Sequence, residues 1–251
     1  MDLGLSGRTY IVTGGSRGLG LATAESLVAD GANVVVSSRS QESVDAAVER
    51  LGERAVGVAA DNAGEDTATA LVAVAQEHFG GLHGALVSVG GPPATSVTDT
   101  TDQQWRDAFE SVFLGGVRLA TTVAENLSDG GSIALVLSTS AKAPMPGLAI
   151  SNGLRPGLAM VAKTLADELG PRGIRVNALL PGRVDTERVQ ELDALSGDAA
   201  ATRERVESSI PLRRYGRPEE FGRAAAFLLS PAAGYLTGVS LPVDGGITRA
   251  L

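Results

Sequence analysis

Seven short runs rich in β-branched and small apolar residues punctuate this chain, at 10–13, 33–37, 55–59, 84–88, 132–138, 174–179 and 240–243. Two of them contain unbroken apolar stretches, Val34-Val35-Val36 and Ile133-Ala134-Leu135-Val136-Leu137. A strand with one wet face alternates apolar and polar residues, whereas an unbroken apolar strand is buried on both faces and needs helices above and below it. Segments of helical period fill the gaps, at 18–29, 41–51, 66–79, 102–127, 151–169 and 218–229. Each gap is long enough for the right-handed crossover that joins parallel strands. The pattern predicts a three-layer α/β architecture around a seven-stranded, doubly wound parallel sheet. No repeat, low-complexity tract or shift in composition divides the 251 residues, so the chain is expected to form a single domain.

Composition narrows the classes of function. With 43% hydrophobic and 20% charged residues, neither a disordered nor a fibrous chain is expected. A formal net charge of -8 argues against a polyanion-binding surface, and therefore against a nucleic acid partner. The absence of Cys removes disulfides, thiol nucleophiles and Cys-ligated metals, and two His are too few for a typical zinc site. No apolar run approaches the roughly 18 residues of a membrane span, and Met1-Asp2-Leu3-Gly4 does not open a basic-then-apolar leader. A soluble, cytoplasmic protein acting on a small molecule is expected, with acid chemistry or an organic cofactor as its means. The stretch 187–210, charged and rich in Ala and Ser, reads either as a solvated surface helix or as a substrate lid on the carboxyl side of the sheet.

Between the first strand and the first helix lies Thr13-Gly14-Gly15-Ser16-Arg17-Gly18-Leu19-Gly20. Gly14, Gly18 and Gly20 permit a tight turn, a close approach of backbone to a pyrophosphate and close packing of helix on strand. The helix amino terminus offers unpaired N–H groups to anionic oxygen. This strand–loop–helix context points to a dinucleotide in a Rossmann-like sheet.

The spacing is G-x-x-x-G-x-G, and with other motifs it resembles the short-chain dehydrogenase/reductase family. The resemblance runs from residue 7 to the carboxyl end. It includes Asp61 after the third strand, Pro181-Gly182-Arg183-Val184-Asp185-Thr186 after the sixth, Arg217-Pro218-Glu219-Glu220, Leu236-Thr237-Gly238 and Val243-Asp244-Gly245-Gly246. It implies cofactor contacts from Ser16 and Leu19 in the loop, from Asp61 to the adenine, from Asn62 and Gly90, and from Pro181, Gly182, Val184 and Thr186 at the nicotinamide end. An enzyme using NAD places a carboxylate at the end of the second strand to accept from the adenosine 2'-hydroxyl. Here the chain reads Ser37-Ser38-Arg39. With Ser38 in place of an acid, and Arg39 and Arg17 able to bond a 2'-phosphate, NADP(H) is favoured over NAD(H).

The catalytic positions that the resemblance implies are mostly altered. Members of the family use a Tyr proton donor, a Lys four residues later, a Ser on the preceding strand and a supporting Asn. Ser138 matches the family Ser. Register places Ser151 at the Tyr position and Arg155 at the Lys position, in Ser151-Asn152-Gly153-Leu154-Arg155. Val112 stands at the Asn position, on a helical face with Trp105 and Phe109 that is expected to be buried. After the fourth strand, Ser88-Val89-Gly90-Gly91 keeps only the final Gly of the family's Asn-Asn-Ala-Gly. The Ser-Asn-x-x-Arg segment resembles a divergent subgroup labelled acyl-carrier-protein reductase by homology.

A phenol with a pKa of about 10 can be tuned toward neutrality by a neighbouring cation, whereas a Ser hydroxyl is far less acidic and its side chain shorter. Arg155 keeps a positive charge and can hold ribose hydroxyls, yet it is a poor proton shuttle. Lys142, in a loop expected to overhang the nicotinamide, is either a solvated side chain or a substitute acid. Arg183 is a candidate for an anionic substrate or a developing oxyanion. His78 and His83 flank the edge of the sheet opposite the carboxyl ends. The leading expectation is an NADP(H)-dependent oxidoreductase of atypical mechanism, with the proton passing through Ser138, Lys142 or a water held by Ser151 and Arg155. A nucleotide-binding pseudoenzyme and a non-redox lyase or isomerase are the alternatives. The resemblance also implies a homotetramer, or a dimer, built through the helices at 102–127 and 151–169.

Overall fold

The computed structural model describes residues 2–195 and 197–249. Its sheet has seven strands: β1 (Thr9–Thr13), β2 (Asn33–Ser38), β3 (Ala55–Ala59), β4 (Gly84–Ser88), β5 (Ser132–Val136), β6 (Arg175–Pro181) and β7 (Ser240–Val243). Their order across the sheet is β3-β2-β1-β4-β5-β6-β7, every neighbouring pair parallel. The sheet is therefore doubly wound as the apolar runs require. The strand order reverses between β1 and β4, and the crevice outside the carboxyl ends of those two strands is where such sheets hold ligands.

Successive side chains of a strand point to opposite faces, and the two cores divide accordingly. Ile11, Val35, Ala85, Ile133 and Val176 pack with α3 (Thr67–Phe79), α5 (Gly115–Asn126) and α6 (Ala149–Leu169). Val12, Val34, Val36, Leu86 and Ala134 pack on the other face with α1 (Gly18–Ala29), α2 (Gln41–Leu51) and α9 (Pro218–Leu229). Both cores are largely aliphatic, with Tyr10 and Phe221 buried in the second, and their close packing keeps the strand ends fixed relative to one another.

Three differences from the sequence expectation bear on the site. The helix foreseen over 102–127 is interrupted: α4 (Asp102–Ala108) passes into a π turn over Phe109–Leu114 before α5 begins. The wider turn rotates the residues that follow, so the expected common face is split. Val112 is buried at 3% exposure, Trp105 is half-buried, and Phe109 is 44% exposed and stacked on Phe113. Next, β5 leaves the ladder at Val136, and Ser138 caps a 3-10 turn over Thr139–Ala141. Finally, the segment at 187–210 holds two helices, α7 (Glu187–Ala194) and α8 (Ala199–Ser209), with residue 196 outside the described residues. Among the described residues, no helix is long and apolar enough to cross a membrane.

Candidate active site

The carboxyl ends of the strands open into a cleft of about 1160 Å³. That lies just above the roughly 300–1000 Å³ typical of small-molecule and cofactor sites. The cleft is walled by the loops after β1 to β6, by one side of α6 and by α7.

The loop after β1 is built to lie close to its ligand. Gly14 and Gly18 take φ of +60° and +54°, and a Cβ on Gly20 would stand 2.2 Å from the Gly14 carbonyl oxygen. Arg17, at the amino-terminal cap of α1, makes no side-chain bond to the helix, so the first N–H groups of α1 receive no side-chain cap. The floor beside the loop is pinned by Thr13. Its Oγ1 accepts from Ser88 N at 2.8 Å and donates to Ser88 O at 3.0 Å, and Asn62 Nδ2 donates to the same carbonyl at 2.9 Å. Asn62 thus ties the ends of β3 and β4 together. Asp61 is exposed beside it, its Oδ1 accepting from Ala63 N at 3.0 Å.

Ser38 and Arg39 stand at the wall where β2 ends, and Arg39 has no carboxylate partner among the described residues. Arg17 donates to Glu187 at 2.8 Å, an exposed pair that joins the loop to the first turn of α7. Ser16, Leu19, Pro181, Gly182, Val184 and Thr186 line the same cleft, and Thr186 also caps α7. The cofactor positions foreseen in the sequence therefore converge on one cavity. Gly90, with φ +69°, leaves open space where a Cβ would project, a cradle at the middle of the cleft.

Ser138, Ser151 and Arg155 meet at the far end of that cradle. Ser138 Oγ accepts from Ser140 N at 3.1 Å and lies 4.0 Å from Met145 Sδ. Ser151 is buried, and its hydroxyl shares a hydrogen bond of 2.9 Å with that of Ser140. Arg155 is buried at 5% exposure, and burial pulls its pKa down to about 10, so it remains a cation at neutral pH. Its Nη1 donates to Val136 O at 2.7 Å and its Nη2 to Gly90 O, while Nε is buried with no partner among the described residues. This cation is compensated by carbonyl dipoles rather than by a carboxylate. A site that binds electron-rich oxygen would gain from such an arrangement.

Other sequence candidates lie elsewhere. Lys142 is exposed and outside the cleft, because the turn that Ser138 caps carries it away from the cradle. Arg183 reaches the cleft wall, but it donates to buried Asp193 at 3.0 Å. The Tyr215 hydroxyl donates to the other oxygen of Asp193 at 2.9 Å, and burial with that carboxylate pushes the phenol up to about 12. His83 accepts from Thr9 N through Nδ1 at 3.0 Å, and burial lowers its pKa. Val112 supplies an apolar wall where an Asn was sought.

Sequence reasoning missed two groups. Ser140, two residues past Ser138, completes the hydroxyl pair, and the run Ser138-Thr139-Ser140 is a signal that could have revealed it. Asn152 accepts from Met145 N at 2.9 Å and donates to Met145 O at 2.8 Å, fixing the loop over the cradle. No short sequence pattern marks that pairing.

Comparison with known proteins agrees with this geometry. Residues 14–248 match the family described as Enoyl-(Acyl carrier protein) reductase. The chain belongs to the short-chain dehydrogenase/reductase family. Human dehydrogenase/reductase SDR family member 4 is 34% identical over 98% of this chain and 90% of its own length. The 2,5-dichloro-2,5-cyclohexadiene-1,4-diol dehydrogenase of Sphingobium indicum is 34% identical, over 97% and 98%. L-sorbose reductase from Gluconobacter frateurii, solved with NADPH and L-sorbose, superposes with a TM-score of 0.94 at 30% identity, over the whole of both chains. The seven-stranded sheet and the cleft at its carboxyl ends are thus those of a family of nicotinamide-dependent oxidoreductases.

Proposed function

We propose that this protein is an NADP(H)-dependent oxidoreductase that converts a small molecule by an atypical proton route. The observation that carries the reading is the wall at the end of β2, where Ser38 replaces an acid and Arg39 stands without a carboxylate partner among the described residues. A 2'-phosphate there meets a cation and no like charge. The cradle fits the rest of the group. The glycine loop would hold a pyrophosphate through its backbone, Gly90 leaves open space in the cleft, and the buried Arg155 guanidinium would supply positive potential.

The nicotinamide, when bound, supplies or accepts the hydride. The chain's own residues do the remainder. Ser138 donates to the substrate oxygen and orients it. The Ser140–Ser151 hydroxyl pair holds a water or passes a proton toward that oxygen. Arg155 stabilises negative charge that builds on the oxygen and does not itself exchange a proton near neutral pH. Preorganised donors of this kind provide substantial acceleration without a phenol acid. The same reading places the protein in the cytoplasm as a homotetramer, or as a dimer. The exposed Phe109 and Met160, at 44% and 67%, are apolar surface on the helices that would form the contact.

The test is loss of NADPH absorbance with a panel of ketones, quinones and 3-oxoacyl thioesters, with NADPH and NADH binding measured on the same preparation. Turnover with NADPH, and tighter binding of NADPH than NADH, is the expected result. One observation favours a second reading, a nucleotide-binding protein without turnover: Ser138, Ser140 and Ser151 bring no strongly titrating acid to the cradle. Tight NADPH binding with no turnover across the panel would select it.

A further inference from the structure

Arg17 stands at a corner shared by three elements. Its backbone is anchored beside the end of β2, because Gly15 N, two residues before it, donates to Ser37 O at 3.0 Å. Its side chain reaches the other way, to the first residue of α7, where Nη1 lies 2.8 Å from Glu187 Oε2. The glycine loop and the start of α7 lie close at Gly18 as well, where an added Cβ would stand 3.5 Å from Thr186 Cγ2.

The two partners differ in freedom. Glu187 sits on a pinned turn: Thr186 before it caps α7, and Arg188 after it crosses to the loop beyond β4 and donates to Pro92 O at 2.9 Å. Arg17 is a long side chain, 63% exposed, and can rotate toward the β2 end without disturbing the core. Both side chains line the cleft, as do Ser38 and Arg39.

Arg17 therefore has two possible partners. A phosphate at the β2 end offers more charge and more acceptor oxygens than one carboxylate, and an exposed carboxylate pair is a weak hold. We propose that Glu187 is a specificity-determining residue for the dinucleotide: it holds Arg17 away from the 2'-phosphate and so moderates the preference for NADP(H). The proposal rests on the reading of the cleft as an NADP(H) site. Glu187 acts through Arg17 and is a positioning residue. A dinucleotide without the 2'-phosphate leaves the Arg17–Glu187 pair intact, so the competition falls on NADP(H) alone.

Calorimetric titration of the full chain with NADPH and with NADH at low salt tests it, on the wild type, Glu187→Gln, Arg17→Met and the double variant. Both positions are exposed, so the changes spare the core. Glu187→Gln should tighten NADPH about three- to fivefold, the upper part of what an exposed ion pair is worth, and change NADH by less than about twofold. In the Arg17→Met background the gain should vanish, with Glu187→Gln leaving NADPH affinity within about twofold. Unchanged NADPH affinity in Glu187→Gln, with a wild type that prefers NADPH to NADH, overturns the proposal and leaves the cofactor reading standing. Equal tightening of NADPH and NADH, or a gain that persists without Arg17, also overturns it, because the carboxylate then acts as a general repulsive charge. If neither the wild type nor any variant binds NADPH, the cofactor reading falls and the proposal with it.

Discussion

Ser140 and Ser151 share a buried hydroxyl–hydroxyl hydrogen bond of 2.9 Å, which joins the turn after β5 to the first turn of α6. By the resemblance read in the sequence, Ser151 stands at the position of the family's phenol. A buried hydroxyl pair is satisfied internally and holds its proton against any ordinary base, so what the pair does well is position and relay.

Restoring the phenol and its lysine therefore tests whether the surroundings are otherwise competent. Ser151→Tyr with Arg155→Lys should raise NADPH-dependent ketone reduction by about a hundredfold, the range a positioned general acid contributes. Steady-state kinetics of the double variant beside the wild type measures it. An unchanged rate with intact NADPH binding would mean that the cradle, not the missing acid, limits turnover.

Arg155 is held by the carbonyls of Val136 and Gly90, so removing it orphans two acceptors. Arg155→Met should destabilise the fold by about 1–3 kcal/mol and also weaken NADPH binding. Urea unfolding and a cofactor titration on the same variant read both effects. Loss of stability alone would assign Arg155 to clamping the strand ends.

Asn152 grips both backbone polar groups of Met145. Asn152→Ala should loosen the loop at 142–148, seen as faster amide hydrogen exchange at Met145, and should raise KM more than it lowers kcat. Equal exchange in variant and wild type would show that the loop holds without the amide.

Tyr215 closes the Arg183–Asp193 ion pair that fastens α7 to the fold. Its folded pKa, about 12, lies above the ordinary 10.0, so its contribution is full below pH 10 and is lost as pH rises through about 12. Tyr10, buried and also raised to about 12, adds a loss in the same window. The wild type should therefore lose melting temperature between pH 10 and 12, and Tyr215→Phe, starting lower, should lose less. Parallel curves for the two proteins would contradict this account.

Much of the fold is legible in the sequence because its strands are apolar on both faces. A run such as Val34-Val35-Val36 admits few places other than the middle of a three-layer sheet. The glycine loop and the β2 end are legible for a related reason. Their shape and charge lie in backbone conformation and local side chains, which travel with short stretches of sequence. The interruption at Phe109–Leu114 is hidden because helical periodicity assumes a regular turn. The commitment of Arg183 is hidden because Asp193 and Tyr215 come from separate elements. Of the two readings of Lys142, its exposure agrees with a solvated side chain: the turn after Ser138 carries it out of the cleft.

Arg39→Glu places a carboxylate where the β2 end now has a cation, and it should weaken NADPH at least about tenfold while NADH is affected far less. Calorimetric titration of both dinucleotides on the variant reads the change. A variant that still prefers NADPH would move the phosphate contact to Arg17.

The most direct measurement is titration of the wild-type protein with NADPH and NADH, followed by heat or by the emission of the bound dihydronicotinamide. Saturable binding of NADPH, tighter than that of NADH by about tenfold or more, is the predicted result. No saturation by NADPH at millimolar concentration, or equal affinity for the two, would contradict the account at its root.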